Sequence, residues 1–184
     1  MVTARAFPMA PEIQTERLRL RAPQREDILP WCAYLITDRA QGQHGLGPVT
    51  KTSDCWRVVA MMAGHWALHG YGPFVLEHLA TGRALGVAGP FFPLGWPERE
   101  LNWALWDPDD EGQGYATEAA RAVIHHCFVD LNWTTLVSYI DPDDQRSIDL
   151  AARLGSTQDT AAQPQAPASL VYRHPSPSGI KALV

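Results

Sequence analysis

The chain has 184 residues, of which 46% are hydrophobic and 19% are charged. This composition is typical of one globular domain with a continuous core, and it excludes a disordered chain, a collagen and a coiled coil. Fifteen Lys and Arg against twenty Asp and Glu give a net charge of -5, so we expect no general attraction to nucleic acid or to an anionic membrane.

The cysteines and the N-terminal residues indicate the compartment. Cys32, Cys55 and Cys127 are odd in number and form no Cys-x-x-Cys pair, which argues against a disulfide framework or a zinc finger. Residues 1–15 lack the apolar segment of a signal peptide, and no apolar run reaches the roughly 18 residues that a membrane span needs. We therefore expect a cytoplasmic protein with a single domain over 1–184 and flexible tails at 1–14 and 175–184.

The periodicity of apolar residues predicts the elements of the first half. Residues 15–21 alternate polar and apolar, as a half-buried strand does, whereas the apolar positions of 24–36 recur at helical spacing. In chain order, the pattern predicts a strand at 15–21, a helix at 24–36, a loop at 41–48, a helix from 52 to about 69, and a hairpin of strands at 74–79 and 84–92.

The second half begins with an aromatic loop at 91–97. It continues with a strand at 99–106, a helix from 115 to about 131, a strand at 134–140, a helix at 144–154, a Gln, Pro and Ala-rich stretch at 157–169 and a short strand at 170–173. The helix that begins at Tyr115 has the most regular apolar stripe in the chain. The order β, α, α, β, β, β, α, β, α, followed by a weak terminal hairpin, predicts an α/β domain.

A glycine-containing turn joins the strand at 99–106 to the helix that begins at Tyr115. Gly112 and Gly114 leave backbone N–H groups unobstructed, and a helix N-terminus adds unpaired donors, so the turn suits an anion such as a pyrophosphate. Alternatively, the glycines only form the tight start of a core helix. The turn contains neither the Gly-Lys-Ser/Thr of a nucleoside triphosphate site nor the Gly-x-Gly-x-x-Gly of a dinucleotide fold.

The same segment also resembles a calcium-binding loop. Asp107, Asp109, Glu111, Gly112 and Glu118 fall at positions 1, 3, 5, 6 and 12 of that pattern, with Glu in place of Asp or Asn at position 5. The preceding residues alternate as a strand instead of a helix, and no second loop is present to pair with it. A calcium-binding module at 107–118 therefore remains a minor alternative.

Several ordered motifs resemble the GNAT superfamily of acyl-CoA-dependent N-acetyltransferases, especially the branch that includes ribosomal-protein N-terminal acetyltransferases. These motifs are the opening Thr15-Glu16-Arg17-Leu18-Arg19-Leu20-Arg21, the loop and helix start 112–119, Asp144-Gln145-Arg146-Ser147 with Arg153-Leu154-Gly155, and Val171-Tyr172-Arg173-His174. The resemblance implies a mixed, mostly antiparallel central sheet, flanked by about four helices and splayed between the strands at 99–106 and 134–140.

The resemblance also implies acetyl-CoA as co-substrate, with no metal. It assigns the pyrophosphate to the loop residues Glu111, Gly112, Gln113, Gly114, Tyr115, Ala116 and Thr117, the pantetheine to Trp103, Ala104 and Leu105, and further cofactor contacts to Asp144 and Ser147. The family has Gln or Arg where this chain has Glu111, and Asn where it has Asp144. The four carboxylates at 107 and 109–111 would repel an anion, so we expect them to point to solvent or else to weaken coenzyme A binding.

Three residues are candidates for catalysis. Glu100 matches a glutamate of this branch and is the candidate base or amine-orienting group, against the alternative of a solvated carboxylate at a strand edge. Ser147 matches a serine near the cofactor sulfur, against the alternative that Asp144 and Ser147 only cap the helix at 145–154. Tyr139 is a candidate acid, against the alternative of an ordinary strand aromatic.

The acceptor is expected to be a primary amine, either a protein N-terminus or a small molecule, acetylated by direct attack. Trp31, Trp56 and Trp96 are candidates for an aromatic acceptor pocket, against core packing. An acyl-CoA-binding sensor or scaffold without turnover is the alternative function. A homodimer is expected only because such dimers are common among soluble enzymes.

Overall fold

The computed structural model describes residues 10–40 and 49–176. The predicted loop at 41–48 and the outer parts of both predicted tails lie outside the described residues. Within the first predicted tail, Ile13–Gln14 forms a short strand that pairs antiparallel with the next one. No helix in the described ranges is long and apolar enough to cross a membrane.

The described residues form one eight-stranded sheet with four α-helices. In chain order the elements are β1 (Ile13–Gln14), β2 (Leu18–Arg21), α1 (Ile28–Leu35), α2 (Thr52–His69), β3 (Phe74–His78), β4 (Ala84–Phe91), β5 (Glu100–Leu105), α3 (Tyr115–His125), β6 (Val137–Ile140), α4 (Gln145–Arg153), β7 (Thr157–Gln158) and β8 (Leu170–Arg173). The sheet order is β1-β2-β3-β4-β5-β6-β8-β7. All neighbouring strands are antiparallel except β5 and β6, which confirms the mixed, mostly antiparallel sheet.

Helices cover both faces of the sheet, so the core has two layers. On one face α3 packs with residues such as Ala120 and Val123, and α4 adds Leu150. On the other face α1 and α2 pack Trp31, Met62 and their neighbours against β3, β4 and β5. Each apolar stripe predicted from the sequence therefore has a sheet face to cover.

Two predicted helices differ from the observed ones near an end. The predicted helix at 24–36 begins as a 3-10 turn, because buried Asp27 accepts bonds from the Gln24 backbone N–H, at 2.7 Å, and from Arg21. The helix that begins at Tyr115 is α-helical to His125 and then widens into a π-turn over His126–Asp130. There the Leu131 N–H bonds to the His126 carbonyl oxygen, five residues earlier.

The feature that positions the site is the junction of β5 and β6. These parallel strands share one register pair, Glu100 with Val137, and the Val137 N–H donates to the Arg99 carbonyl oxygen at 3.1 Å. Beyond that rung the Ser138 hydroxyl donates to the Leu101 carbonyl oxygen at 2.6 Å, and the ladder then stops. The expected splay is confirmed, and a gap opens along the C-terminal half of β5.

Candidate active site

A continuous groove runs along the gap between β5 and β6. It consists of a first cleft of about 530 Å³ beside Glu100 and β6, a second of about 280 Å³ beside Ala104 and Leu105, and a third of about 900 Å³ around the 112–118 turn. Arg39, Trp103, Asp144, Arg146 and Ser147 line both the first and the second cleft. Leu105, Gly112, Ala116 and Arg153 line both the second and the third.

Glu100 lies at the closed end of the gap, where the two strands still touch. Its side chain lines the first cleft, and the residue is only 5% exposed. Burial raises the pKa of Glu100 to about 7, although hydrogen bonds from Trp96 and Asn102 oppose the rise. The Trp96 indole donates to the Glu100 carboxylate at 2.7 Å. The alternative of a solvated strand-edge carboxylate is therefore wrong.

The glycine turn has the backbone that the sequence predicts. Gly112 and Gly114 have φ of 72° and 84°, in the left-handed region that favours glycine, and α3 begins directly after them at Tyr115. The first N–H groups of α3 have no partner within the helix, so they can bind an anion in the third cleft. These residues fit the pyrophosphate of a coenzyme A molecule.

The opening motif holds this turn in place. The Glu118 carboxylate accepts bonds from the Thr15 hydroxyl at 2.6 Å, the Arg17 backbone N–H at 2.8 Å and the Arg17 guanidinium at 2.7 Å. Arg17 also donates to the Gln113 carbonyl oxygen at 2.9 Å and stacks over the Tyr115 ring. Two motifs about a hundred residues apart in sequence thus form one structural unit.

The expectation that the four carboxylates point to solvent is wrong for two of them. Asp110 is buried and forms a two-pronged ion pair with Arg83. The Glu111 carboxylate bonds Arg39 through one oxygen and Arg146 through the other, the latter at 2.8 Å. Arginine partners hold these charges beside the anion site, whereas the other two carboxylates, at 107 and 109, are exposed.

The structure does not support the calcium alternative. Within the described ranges, no group of three His, Cys, Asp or Glu side chains is placed to hold a metal ion. Glu111 and Glu118, which would be the ligands at positions 5 and 12, are bonded to different arginines. Glu118 also belongs to α3, and the segment before Asp107 is β5.

Asp144 and Ser147 form the start of α4, as the capping alternative predicts. Asp144 accepts a bond from the Ser147 backbone N–H at 3.1 Å and another from the Ser147 hydroxyl at 2.7 Å. The Ser147 oxygen in turn accepts a bond from the Trp103 indole at 3.2 Å, across the gap between β5 and α4. Capping and a position in the groove therefore occur together, and the hydroxyl lies between the first and second clefts.

Tyr139 lines the first cleft from β6. Its hydroxyl oxygen accepts a bond from the Glu98 backbone N–H at 3.1 Å. Burial raises the pKa of Tyr139 to about 12, so the phenol keeps its proton at neutral pH. The side chain thus lines the cleft with a protonated hydroxyl group, as a candidate acid requires.

Of the three candidate tryptophans, only Trp96 lies in the groove. It lines the first cleft and contacts Glu100. Trp31 is 1% exposed and packs in the core against Trp106, with ring centroids 5.6 Å apart, so it has no surface to offer a substrate. Trp56 is 57% exposed on α2 and lines none of the three clefts.

The free edge of β5 offers backbone groups to the second cleft. The carbonyl oxygens of Arg99 and Leu101 face β6, whereas the Trp106 N–H bonds to Leu85 of β4. Because backbone groups alternate along a strand, Trp103 and Leu105 also direct theirs into the gap. Arg39 already donates to the Leu105 carbonyl oxygen at 3.3 Å.

A chain of buried hydrogen bonds lies beside the junction of β5 and β6. His174 bonds the Ser138 hydroxyl oxygen through Nε2 at 2.9 Å and Ser156 through Nδ1 at 2.7 Å. Since Ser138 donates its proton to Leu101, it must accept from His174, so the proton of the neutral ring lies on Nε2. Burial lowers the pKa of His174 to about 3, which keeps the ring neutral.

Sequence reasoning missed the arginines that surround the groove. Arg17 lies in the motif at 15–21 and Arg146 in the motif at 144–147, so their positions within these motifs could have indicated a place near the groove. Arg39 lies between a helix and a glycine-rich segment and follows no pattern. It reaches β5 and Glu111 only through tertiary contacts, donating also to the Trp106 carbonyl oxygen at 3.1 Å.

Comparison with known proteins assigns the chain to a family. The family model described as Acetyltransferase (GNAT) domain matches residues 17–157, and the chain belongs to this family. Acetyl-CoA is the co-substrate of GNAT acetyltransferases.

Solved structures agree with that assignment. An acetyltransferase from Agrobacterium tumefaciens strain C58 is 32% identical, with a TM-score of 0.83, over 95% of this chain and 100% of that one. The ribosomal-protein-S5-alanine acetyltransferase from Vibrio fischeri shares the fold at 14% identity and a TM-score of 0.62, over 89% of this chain and 94% of that one. The aminoglycoside acetyltransferase AAC(6')-Ib, solved with coenzyme A, shares it at 18% identity and a TM-score of 0.70, over 89% and 97%.

Proposed function

We propose that this protein transfers the acetyl group of acetyl-CoA to a primary amine, by direct attack of the amine. One observation carries the proposal. A buried carboxylate, Glu100, whose pKa is about 7, lies in a cleft that continues into the groove at the start of α3. A base with a pKa near the working pH suits removal of a proton from an ammonium group.

Binding groups follow one another along the groove in the order of the parts of acetyl-CoA. We assign the pyrophosphate to the N–H groups of residues 112–117, and the pantetheine arm to the free backbone edge of Trp103 and Leu105. Ala104, whose backbone faces β4, lines the same cleft. When bound, the cofactor supplies an activated thioester carbonyl. The β5 N–H groups that face the gap can donate to the oxygen of that carbonyl as it gains charge.

The remaining side chains of the first cleft suit proton transfer. Glu100 accepts the proton of the incoming amine or orients that amine. Tyr139 and Ser147 both line the cleft and carry hydroxyl groups, so we propose them as the source of the proton for the departing thiol. Trp96 bounds the cleft and donates to Glu100, which fixes the direction of the carboxylate.

The acceptor is proposed to be a protein N-terminus or a small-molecule amine that enters the first cleft beside Trp96. An N-terminal amine, with an ordinary pKa of about 7.7–8.0, already has a neutral fraction at pH 7, so a base of modest strength suffices. We further propose a cytoplasmic location, consistent with three free cysteines in the described residues.

The test is an acetylation assay with acetyl-CoA and a panel of peptides and small amines. Thiol release and the mass of one acetyl group added to the amine are both measured. Glu100→Gln should lower kcat/KM at least tenfold, whereas the matched control Glu12→Gln, an exposed glutamate before β1, should leave it unchanged. Acetyl-CoA binding without acetylation of any amine would instead favour the sensor or scaffold, and absence of binding would refute both functions.

A further inference from the structure

The unusual residue of the glycine turn, Glu111, bridges two arginines. One carboxylate oxygen pairs with Arg39, which precedes α2, and the other accepts from Arg146 of α4 at 2.8 Å. Three chain segments that are distant in sequence therefore meet at one side chain. All three residues line the second cleft, and so does Gly112, which follows Glu111 in the sequence.

The two arginines are held differently. Arg39 also donates to the carbonyl oxygens of Leu105, at 3.3 Å, and Trp106, at 3.1 Å, so its guanidinium is fixed at the end of β5. The Arg146 side chain is 64% exposed and reaches Glu111 from the first turn of α4. The bridge is thus anchored on one side and open to solvent on the other.

The position of this bridge matters because the anion site lies next to it. Gly112 follows Glu111 directly, and the left-handed turn through Gly114 leads to the unpaired N–H groups of α3. Arg39, Arg146 and Glu111 line the second cleft, which shares Gly112 and Ala116 with the third cleft. A diphosphate that enters the third cleft at those N–H groups can therefore extend toward both guanidinium groups and the Glu111 carboxylate. Guanidinium groups bind phosphate and carboxylate oxygens with the same geometry, so the two anions compete for the same partners.

We infer that Arg39 and Arg146 form a second phosphate-binding site, which Glu111 fills in the free protein. This inference rests on the proposed cofactor groove. The ligand class is a diphosphate ester such as coenzyme A. On binding, one phosphate takes the two arginines from Glu111, and the released carboxylate turns to solvent. Glu111 thereby sets cofactor affinity as an internal competitor.

The experiment compares acetyl-CoA binding by calorimetry in three proteins at fixed salt. Glu111→Gln keeps the shape of the side chain and removes its charge, so its Kd should fall at least threefold below that of the wild type. Asp109→Asn is the matched control, because Asp109 is exposed on the same turn and pairs with no arginine in the described residues, and its Kd should stay within twofold. Glu111→Ala replaces Glu111→Gln if the latter fails to fold.

A second variant tests the arginine. Arg146→Gln should weaken acetyl-CoA binding more strongly in the Glu111→Gln background than in the wild type, because in the wild type the guanidinium must first leave its carboxylate. Equal or weaker binding by Glu111→Gln, with a wild type that binds, overturns this inference and leaves the proposed function standing. No binding by either protein overturns both.

Discussion

Glu100 makes the stability of this protein depend on pH in a way that one substitution removes. The folded state raises the pKa of this carboxyl from 4.5 to about 7 by burying it. Between these values the folded protein keeps the proton on Glu100 while the unfolded chain loses it, so the contribution of Glu100 to the free energy of unfolding falls as pH rises. At 1.36 kcal/mol for each pH unit, the loss amounts to roughly 3 kcal/mol between pH 4.5 and pH 7.

Glu100→Gln has no such proton, and it should not show this loss. Urea unfolding of wild type and Glu100→Gln, followed by tryptophan fluorescence from pH 4 to pH 8, gives the difference at each pH. The difference isolates Glu100, because every other titrating group is common to both proteins. The variant should gain about 3 kcal/mol relative to the wild type across this range. A difference that varies by less than about 0.5 kcal/mol would refute the buried, protonated carboxyl.

Three further predictions concern other contacts. Arg83→Met leaves the buried Asp110 carboxylate without its partner, so urea unfolding should show a loss of about 1–3 kcal/mol. Gly114→Ala forces a side chain into a φ of 84°, so the same measurement should show a loss of about 1–2 kcal/mol, and acetyl-CoA should bind more weakly. Burial lowers the pKa of His174 from 6.5 to about 3, so the contribution of His174 to stability falls as pH drops below 6.5 and opposes that of Glu100. His174→Gln should reduce that acid loss in thermal melts, whereas the exposed His125→Gln should keep it; equal acid sensitivity of the two variants would contradict the assigned role of His174.

The sequence was informative wherever the deciding forces are local. Alternation and helical spacing place β2, α2 and α3 within a few residues, because each element must present an apolar stripe to the sheet. The glycine turn is likewise local, since positive φ at Gly112 and Gly114 needs glycine whatever surrounds it. The order of motifs along the chain, through its family resemblance, then indicated the splayed sheet.

Tertiary contacts decided the features that sequence reasoning missed. From the sequence alone, the charge of Glu111 is expected to repel an anionic cofactor. The fold pairs that charge with Arg39 and Arg146, which are distant in sequence. Trp31 and Trp96 are the same residue type, yet one packs in the core and the other borders the cleft. Periodicity cannot separate them, because it reports burial along an element and not proximity to the site.

The single register pair between β5 and β6 is a pivot, because β5 is joined to β6 only at one end of the gap. From Glu100 to Leu105 the strand runs five residues beyond this pair, about 16 Å at 3.3 Å a residue. A rotation of β5 by about 4° about this pair therefore moves the far end of the strand by about 1 Å. A displacement of that size is large enough to matter for catalytic geometry. The Ser138 and His174 hydrogen bonds lie beside this pair, and neither residue lines the second cleft, although the His174 ring packs edge-on against Trp103, which does. We expect substitutions of Ser138 or His174 to change the width of the groove without removing a group that lines the second cleft.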